Sequence, residues 1–401
     1  MKQNYLWSAI IGLIALSLSQ TACVSINIWG SDEDEALAPT PLTKFEPTIQ
    51  VRRIWKQDVG AGADDLYVKL TPIVHGKRLF AATPEGEVHA YDAQTGESLW
   101  ETDIDLPISG GPGIGHQTVL VGSNTGKVAA LSQETGEVLW KVKTSSEVLA
   151  MPQEKNGVVV ARTIDGKLFG LEEADGARRW VYERSVPILT LRGTSNPVIV
   201  DDLVIAGYDG GQLVAVSLED GRMVWETRIT LPRGRSDIDR MVDIDGEIAV
   251  VGNAIYAVTF QGQVAAVNAM SGNIFWRRDM SSHAGLGIYG RTLYVTDEKS
   301  HIWALNRYNG ETLWHQTALE RRKLTAPVGF GPMGLGDYVV VGDLEGYAHI
   351  LDKNDGRISA RIRVDKKKIL APPMVANDIL YVYGSSGILT ALNVGNNTAP
   401  D

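Results

Sequence analysis

The chain has 401 residues, with 38 basic and 48 acidic side chains, a formal charge of −10, 44% hydrophobic residues and 21% charged ones. That balance suits a globular protein. Its acidity argues against nucleic acid as a partner, because phosphate binding draws on clustered Lys and Arg. The 42 glycines, and the lack of long helical patterns after the N-terminus, point to many short strands joined by tight turns.

Residues 1–22 read as an export signal: Lys2 gives a basic start, and Leu6 to Leu18 is an apolar run too short for a membrane span of about 20 residues. The run leads to Gln20-Thr21-Ala22-Cys23, and Cys23 is the only cysteine. Small residues before a lone cysteine resemble a bacterial lipobox, whose cysteine is lipidated and becomes the first mature residue. Gln20 departs from the aliphatic residue usual there, and the alternative is a plain secretory signal. Val24 and Ser25, with no Asp at the second position, match the sorting pattern for the outer membrane. Without Lys2 the balance is 37 basic to 48 acidic residues. With Cys23 lipidated, no thiol is left for a disulfide or a thiolate metal site. Residues 23–48, with the acidic run Asp32 to Glu35 and Pro39, Pro41 and Pro47, read as a flexible tether.

From residue 49 a repeat takes over. A glycine followed by an alternating apolar segment starts at Gly86, Gly126, Gly166, Gly211, Gly262, Gly346 and Gly387, with Ser300 in the same role, giving eight copies 38 to 51 residues apart. Ten residues after each of the first seven starts comes a second glycine: Gly96, Gly136, Gly176, Gly221, Gly272, Gly310 and Gly356. Four residues further on stand Trp100, Trp140, Trp180, Trp225, Trp276 and Trp314, with Ala360 in the seventh copy. Period-two alternation and glycine turns predict strand–turn–strand units. The spacing predicts an all-β, eight-bladed β-propeller with four-stranded antiparallel blades over residues 49–395, followed by a tail at 396–401. The tryptophans read as wedges between blades, the alternative being a ligand-stacking role. The eighth copy ends before any tryptophan strand, whereas Ile49 to Trp55 is such a strand with no hairpin before it. The N-terminal strand is therefore expected to close the ring.

The Ala-Leu-Asp-x-x-Thr-Gly-x-x-x-Trp pattern resembles the repeat of pyrroloquinoline-quinone dehydrogenases over residues 49–394. That repeat is shared by quinoprotein enzymes and by the BamB family of outer-membrane assembly lipoproteins. The enzymes pair adjacent cysteines and set Glu, Asn and Asp around calcium beside the quinone, and no such constellation stands out here. No cofactor, metal or catalytic residue is expected. Gly285-Leu-Gly287-Ile-Tyr-Gly290 matches a dinucleotide fingerprint but precedes a strand pattern rather than a helix. The lipobox, tether and repeat together resemble the BamB family. The resemblance implies a non-catalytic scaffold, lipid-anchored at the periplasmic face of the outer membrane. Such a scaffold binds the transport-associated domains of BamA within the Bam complex and aids insertion of outer-membrane proteins, with unfolded substrates as possible further partners. A quinoprotein or small-ligand-binding propeller is the alternative.

Connector lengths mark the expected partner site. From tryptophan to next starting glycine they run 26, 26, 31 and 37 residues over the first four blades. The two longer ones occupy equivalent places in consecutive blades, and long loops on a rigid scaffold carry function. They hold apolar residues beside paired charges, as protein-binding patches do. The BamB resemblance implies BamA binding by Leu189, Leu191, Arg192 and Gly193 in the first and by Asp243 and Asp245 in the second. The structural alternative places Leu189 and Leu191 in a core and pairs Arg192 with an Asp across the blades.

Overall fold

The computed structural model describes residues 38–63, 66, 68–185, 195–232, 241–331 and 336–396. Contacts divide the chain into Met1–Ala38 and Pro39–Asp401, and the second unit holds every element named below.

The described residues form 32 strands in eight four-stranded antiparallel sheets. Blades one to seven are consecutive four-strand meanders over residues 73–103, 108–143, 153–182, 198–228, 249–279, 285–316 and 328–363. First strands of neighbouring blades lie against one another and line the axis. Blade eight draws three strands from residues 374–396 and its outermost from Ile49–Asp58, antiparallel to Ile388–Asn396. The fold is the eight-bladed propeller that the repeat predicts, closed by the N-terminal strand.

Second strands such as Val158–Arg162 and Tyr338–Gly342 are buried along their whole length, because blades cover both of their faces. Outer strands alternate, as in Ile274–Asp279. The seven turn glycines hold φ between +71° and +75°, a region that costs a Cβ-bearing residue steric strain. At the starting position, Ser300 (φ 67°) adopts positive φ itself, and Gln261 (φ 50°) carries it one residue before Gly262.

Each blade tryptophan crosses a seam in the same way. Its indole N–H donates to a backbone carbonyl of the next blade: Trp55 to Ala93, Trp100 to Gln133, Trp140 to Glu173, Trp180 to Leu218, Trp225 to Ala269, Trp276 to Arg307 and Trp314 to Lys353, at 2.6–3.1 Å. The ring covers the turn glycine three residues later; a Cβ on Gly136 would lie 2.6 Å from Trp100 Cε3. Within its own blade the tryptophan faces a small residue, as in the register pairs Ala90–Trp100, Ala130–Trp140, Gly170–Trp180 and Ala391–Trp55. Blade seven inverts the sizes, pairing Ile350 with Ala360. The reason is topological. Blade eight joins its last two strands across the chain ends, so it has no turn glycine for a tryptophan to cover.

Close approach between blades explains the glycines of the inner strands. Gly110 and Gly113 lie in the inner strand Ile108–Ile114 with no room for a Cβ against the Ala150 and Pro152 carbonyls. Gly287 sits likewise against the Pro327 carbonyl, so the dinucleotide-like motif is a strand at a blade seam.

Candidate partner-binding site

Leu189, Leu191, Arg192 and Gly193 lie outside the described residues, as does Cys23. Asp243 and Asp245 are described, and they place the second long connector beside the end of the first.

That meeting point is the hairpin end of blade four, between Leu203–Tyr208 and Gln212–Ser217. Gly207 packs against both connectors, since a Cβ there would lie 2.9 Å from Ser195 Oγ and would also meet Ile244. Ser195, within the first connector, is clamped by buried Arg162, whose Nη1 donates to its carbonyl at 3.2 Å and its hydroxyl at 3.1 Å. The Arg162 guanidinium lies 4.7 Å from the Tyr208 ring centroid, with Arg184 at 5.6 Å. From the second connector, Asp243 accepts the Gly210 amide at 3.3 Å, and its own carbonyl accepts the Phe260 amide at 2.9 Å.

Asp245 differs. Both of its carboxylate oxygens are shielded from solvent and neither has a hydrogen-bond partner. Burial, then repulsion from Asp243 and Asp209, pushes its carboxyl up to about 7 against the opposing pull of Arg162 and Lys69. Asp209, in the blade-four turn, is pushed up to about 6 by burial and by Asp243. Lys69, from the connector before blade one, adds its positive field at Asp245. Asp245 itself has no hydrogen-bond partner, and an unpaired carboxylate of this kind gains most from an added basic group. Among the described residues no group of three or more His, Cys, Asp or Glu side chains is placed to hold a metal ion.

Arg162, Tyr208 and Asp209 were not singled out by the sequence. The available signal was a charge closing the apolar run Val158 to Ala161, but its partners come from the next blade and no spacing rule reveals them.

The family model described as outer membrane protein assembly factor BamB matches residues 50–114, 84–316 and 306–398. The BamB of Pseudomonas aeruginosa is 46% identical over 382 residues, covering 95% of this chain and 98% of that protein. The BamB of Xanthomonas campestris is 35% identical over 408 residues, covering 98% and 99%. The crystal structure of BamB from Moraxella catarrhalis superposes with a TM-score of 0.77 at 29% identity, over 86% of this chain and all of that one. A quinohemoprotein alcohol dehydrogenase from Comamonas testosteroni shares the fold alone, at 12% identity and a TM-score of 0.69 over 88% of this chain and 78% of that one. With family-wide matches over nearly its whole length, the chain belongs to the BamB family of outer membrane protein assembly factors.

Proposed function

We infer that this chain is a non-catalytic scaffold lipoprotein of the outer-membrane β-barrel assembly machinery, held by lipid on Cys23 at the periplasmic face and binding BamA at blade four. The observation that supports the site is the unpartnered, shielded Asp245 carboxylate where two long connectors converge. Family membership supplies the assembly role, and the quinoprotein enzymes share only the fold. Arg192→Glu, on the first connector, is expected to reduce co-purification of BamA about tenfold or more while the far-ultraviolet spectrum stays unchanged. Undiminished co-purification would remove this patch from the interface.

A second contact, with unfolded outer-membrane proteins, is favoured by the bulges of the outer strands. In each blade the register shifts just before the position of the tryptophan, leaving one bulged residue outside the ladder. Six of these eight residues are exposed and apolar: Ile54, Leu99, Leu139, Val224, Phe275 and Leu313. They repeat around the rim on strands whose outer edges pair with no other strand among the described residues, a surface suited to apolar side chains of an extended chain. The triple variant Leu99→Glu, Leu139→Glu, Phe275→Glu should lose crosslinks to unfolded substrate yet keep BamA; retained substrate crosslinks would rule the rim out.

A further inference from the structure

Residues 39–48 lie along blades six and seven. The Thr40 amide donates to the Glu320 carbonyl at 3.1 Å and the Thr48 amide to the Ser359 carbonyl at 3.0 Å. Leu42 packs against the cluster containing Trp314, Leu319 and Leu324. Two arginines hold the segment from beneath. Arg322 Nη1 donates to the Thr40 carbonyl and Arg361 Nη1 to the Thr43 carbonyl, both at 3.1 Å, and the Arg361 guanidinium lies 5.1 Å from the Phe45 ring centroid.

Both arginines belong to one buried network. Arg322, 2% exposed, pairs with Asp343 at 2.7 Å and with Glu345. Asp343 also meets His349 Nε2 at 2.8 Å, and His349 Nδ1 meets Arg361 Nε at 3.1 Å. Asp343 and His349 are completely buried. The partners dictate the tautomer. A carboxylate accepts and a guanidinium only donates, so His349 carries its proton on Nε2 and offers the Nδ1 lone pair to Arg361.

Adding a proton to Nδ1 destroys that acceptor and sets imidazolium against guanidinium. We propose that residues 39–48 are a strap that docks while His349 is neutral and releases when His349 takes a second proton. The network forces the choice, because Arg361 holds the strap through Thr43 and Phe45 and is itself held by His349.

The surrounding charges set the direction. Burial, with Arg361 and Arg322 nearby, keeps the imidazole below its usual range despite the pull of Asp343. Burial alone would raise Asp343, but its bonds to His349, Tyr347 and Arg322 hold it below the usual carboxylate range. Tyr347 lies 6.2 Å from His349 by ring centroids, with the Arg363 guanidinium 5.5 Å from the Tyr347 centroid. Glu320, beneath Thr40, pairs with Arg321 at 3.7 Å, and Lys44 and Glu46 are the charged side chains of the strap itself. A depressed histidine contributes stability to the docked state above its unfolded value near 6.5, and loses it as pH falls through the lower folded value. The Asp343 carboxylate is still ionised in that window, so it does not share in the switch. Given lipidation at Cys23, release would lengthen the tether by ten residues, up to about 35 Å of contour; the switch itself is independent of that reading.

A single spin label at Lys44→Cys, in the full chain with Cys23→Ser, reads the switch. The spectrum is expected to be immobilised near pH 7.5, with the mobile-to-immobile ratio rising about tenfold by about pH 5. His349→Gln, which can donate and accept but not ionise, should stay immobilised at both. Arg361→Gln should be mobile at both, with an unchanged near-ultraviolet spectrum showing the blades intact. An immobilised parent at the lower pH, or release by His349→Gln matching the parent, would overturn the proposal.

Discussion

Replacing Trp55 by alanine is expected to destabilise the ring by about 3–5 kcal/mol and to make the N-terminal strand the first element to open. Trp55 is 8% exposed, donates to the Ala93 carbonyl, covers Gly96 and lies 5.8 Å from the Tyr381 ring centroid. It binds blade eight to blade one, and its strand is tied to blade eight by pairing rather than by a turn. Trp140→Ala removes the equivalent indole hydrogen bond and glycine cover at a seam whose strands are continuous with their hairpins. Both variants should lose similar stability in denaturant titrations. Only Trp55→Ala should hasten tryptic cleavage at Arg52, Arg53 and Lys56 under native conditions. Equal protection of those bonds in both variants would mean that the closing strand is held by backbone pairing alone.

Asp245→Asn is expected to separate binding from stability. The carboxyl stands at about 7 in the folded chain, above the ordinary range near 3.9. A raised pKa contributes stability that is complete below the unfolded value and lost as pH rises through the folded one. Above about pH 7 the native protein therefore bears an ionised carboxylate with no partner. The asparagine variant avoids this, and should gain about 2 kcal/mol near pH 8 and almost nothing near pH 4. It should also bind BamA more weakly, because the partner's basic group loses its counter-charge. Equal stability of variant and parent at both pH values would show that Asp245 is satisfied by solvent; tighter binding by the variant would refute recognition through its charge.

The carboxylate cluster shows how far spacing reaches. Connector length marked the two segments and the family resemblance picked Asp243 and Asp245 within the second, and the length excess did mark a place where two connectors meet. What could not be foreseen was the difference between the two residues. Asp243 is satisfied by an amide of the blade-four turn, while Asp245 is shielded and unpaired, and that contrast depends on Arg162, Asp209 and Lys69 from three other parts of the ring. The strap is a second example. Its prolines and exposed charges gave no reason for order, and the order comes from Arg322 and Arg361, about 280 and 318 residues away in sequence.

The amino-acid sequence by itself determined the number of blades, the turn that needs glycine and the strand that closes the ring. Those features repeat locally, and hairpin register and turn conformation are decided within about a dozen residues. Tertiary structure alone decided why Ala360 replaces a tryptophan, which acid is left without a partner, and where the N-terminal segment docks. Each of these is set by the neighbouring blade or by a distant part of the ring, where desolvation and pairing are fixed by geometry that no repeat spacing contains.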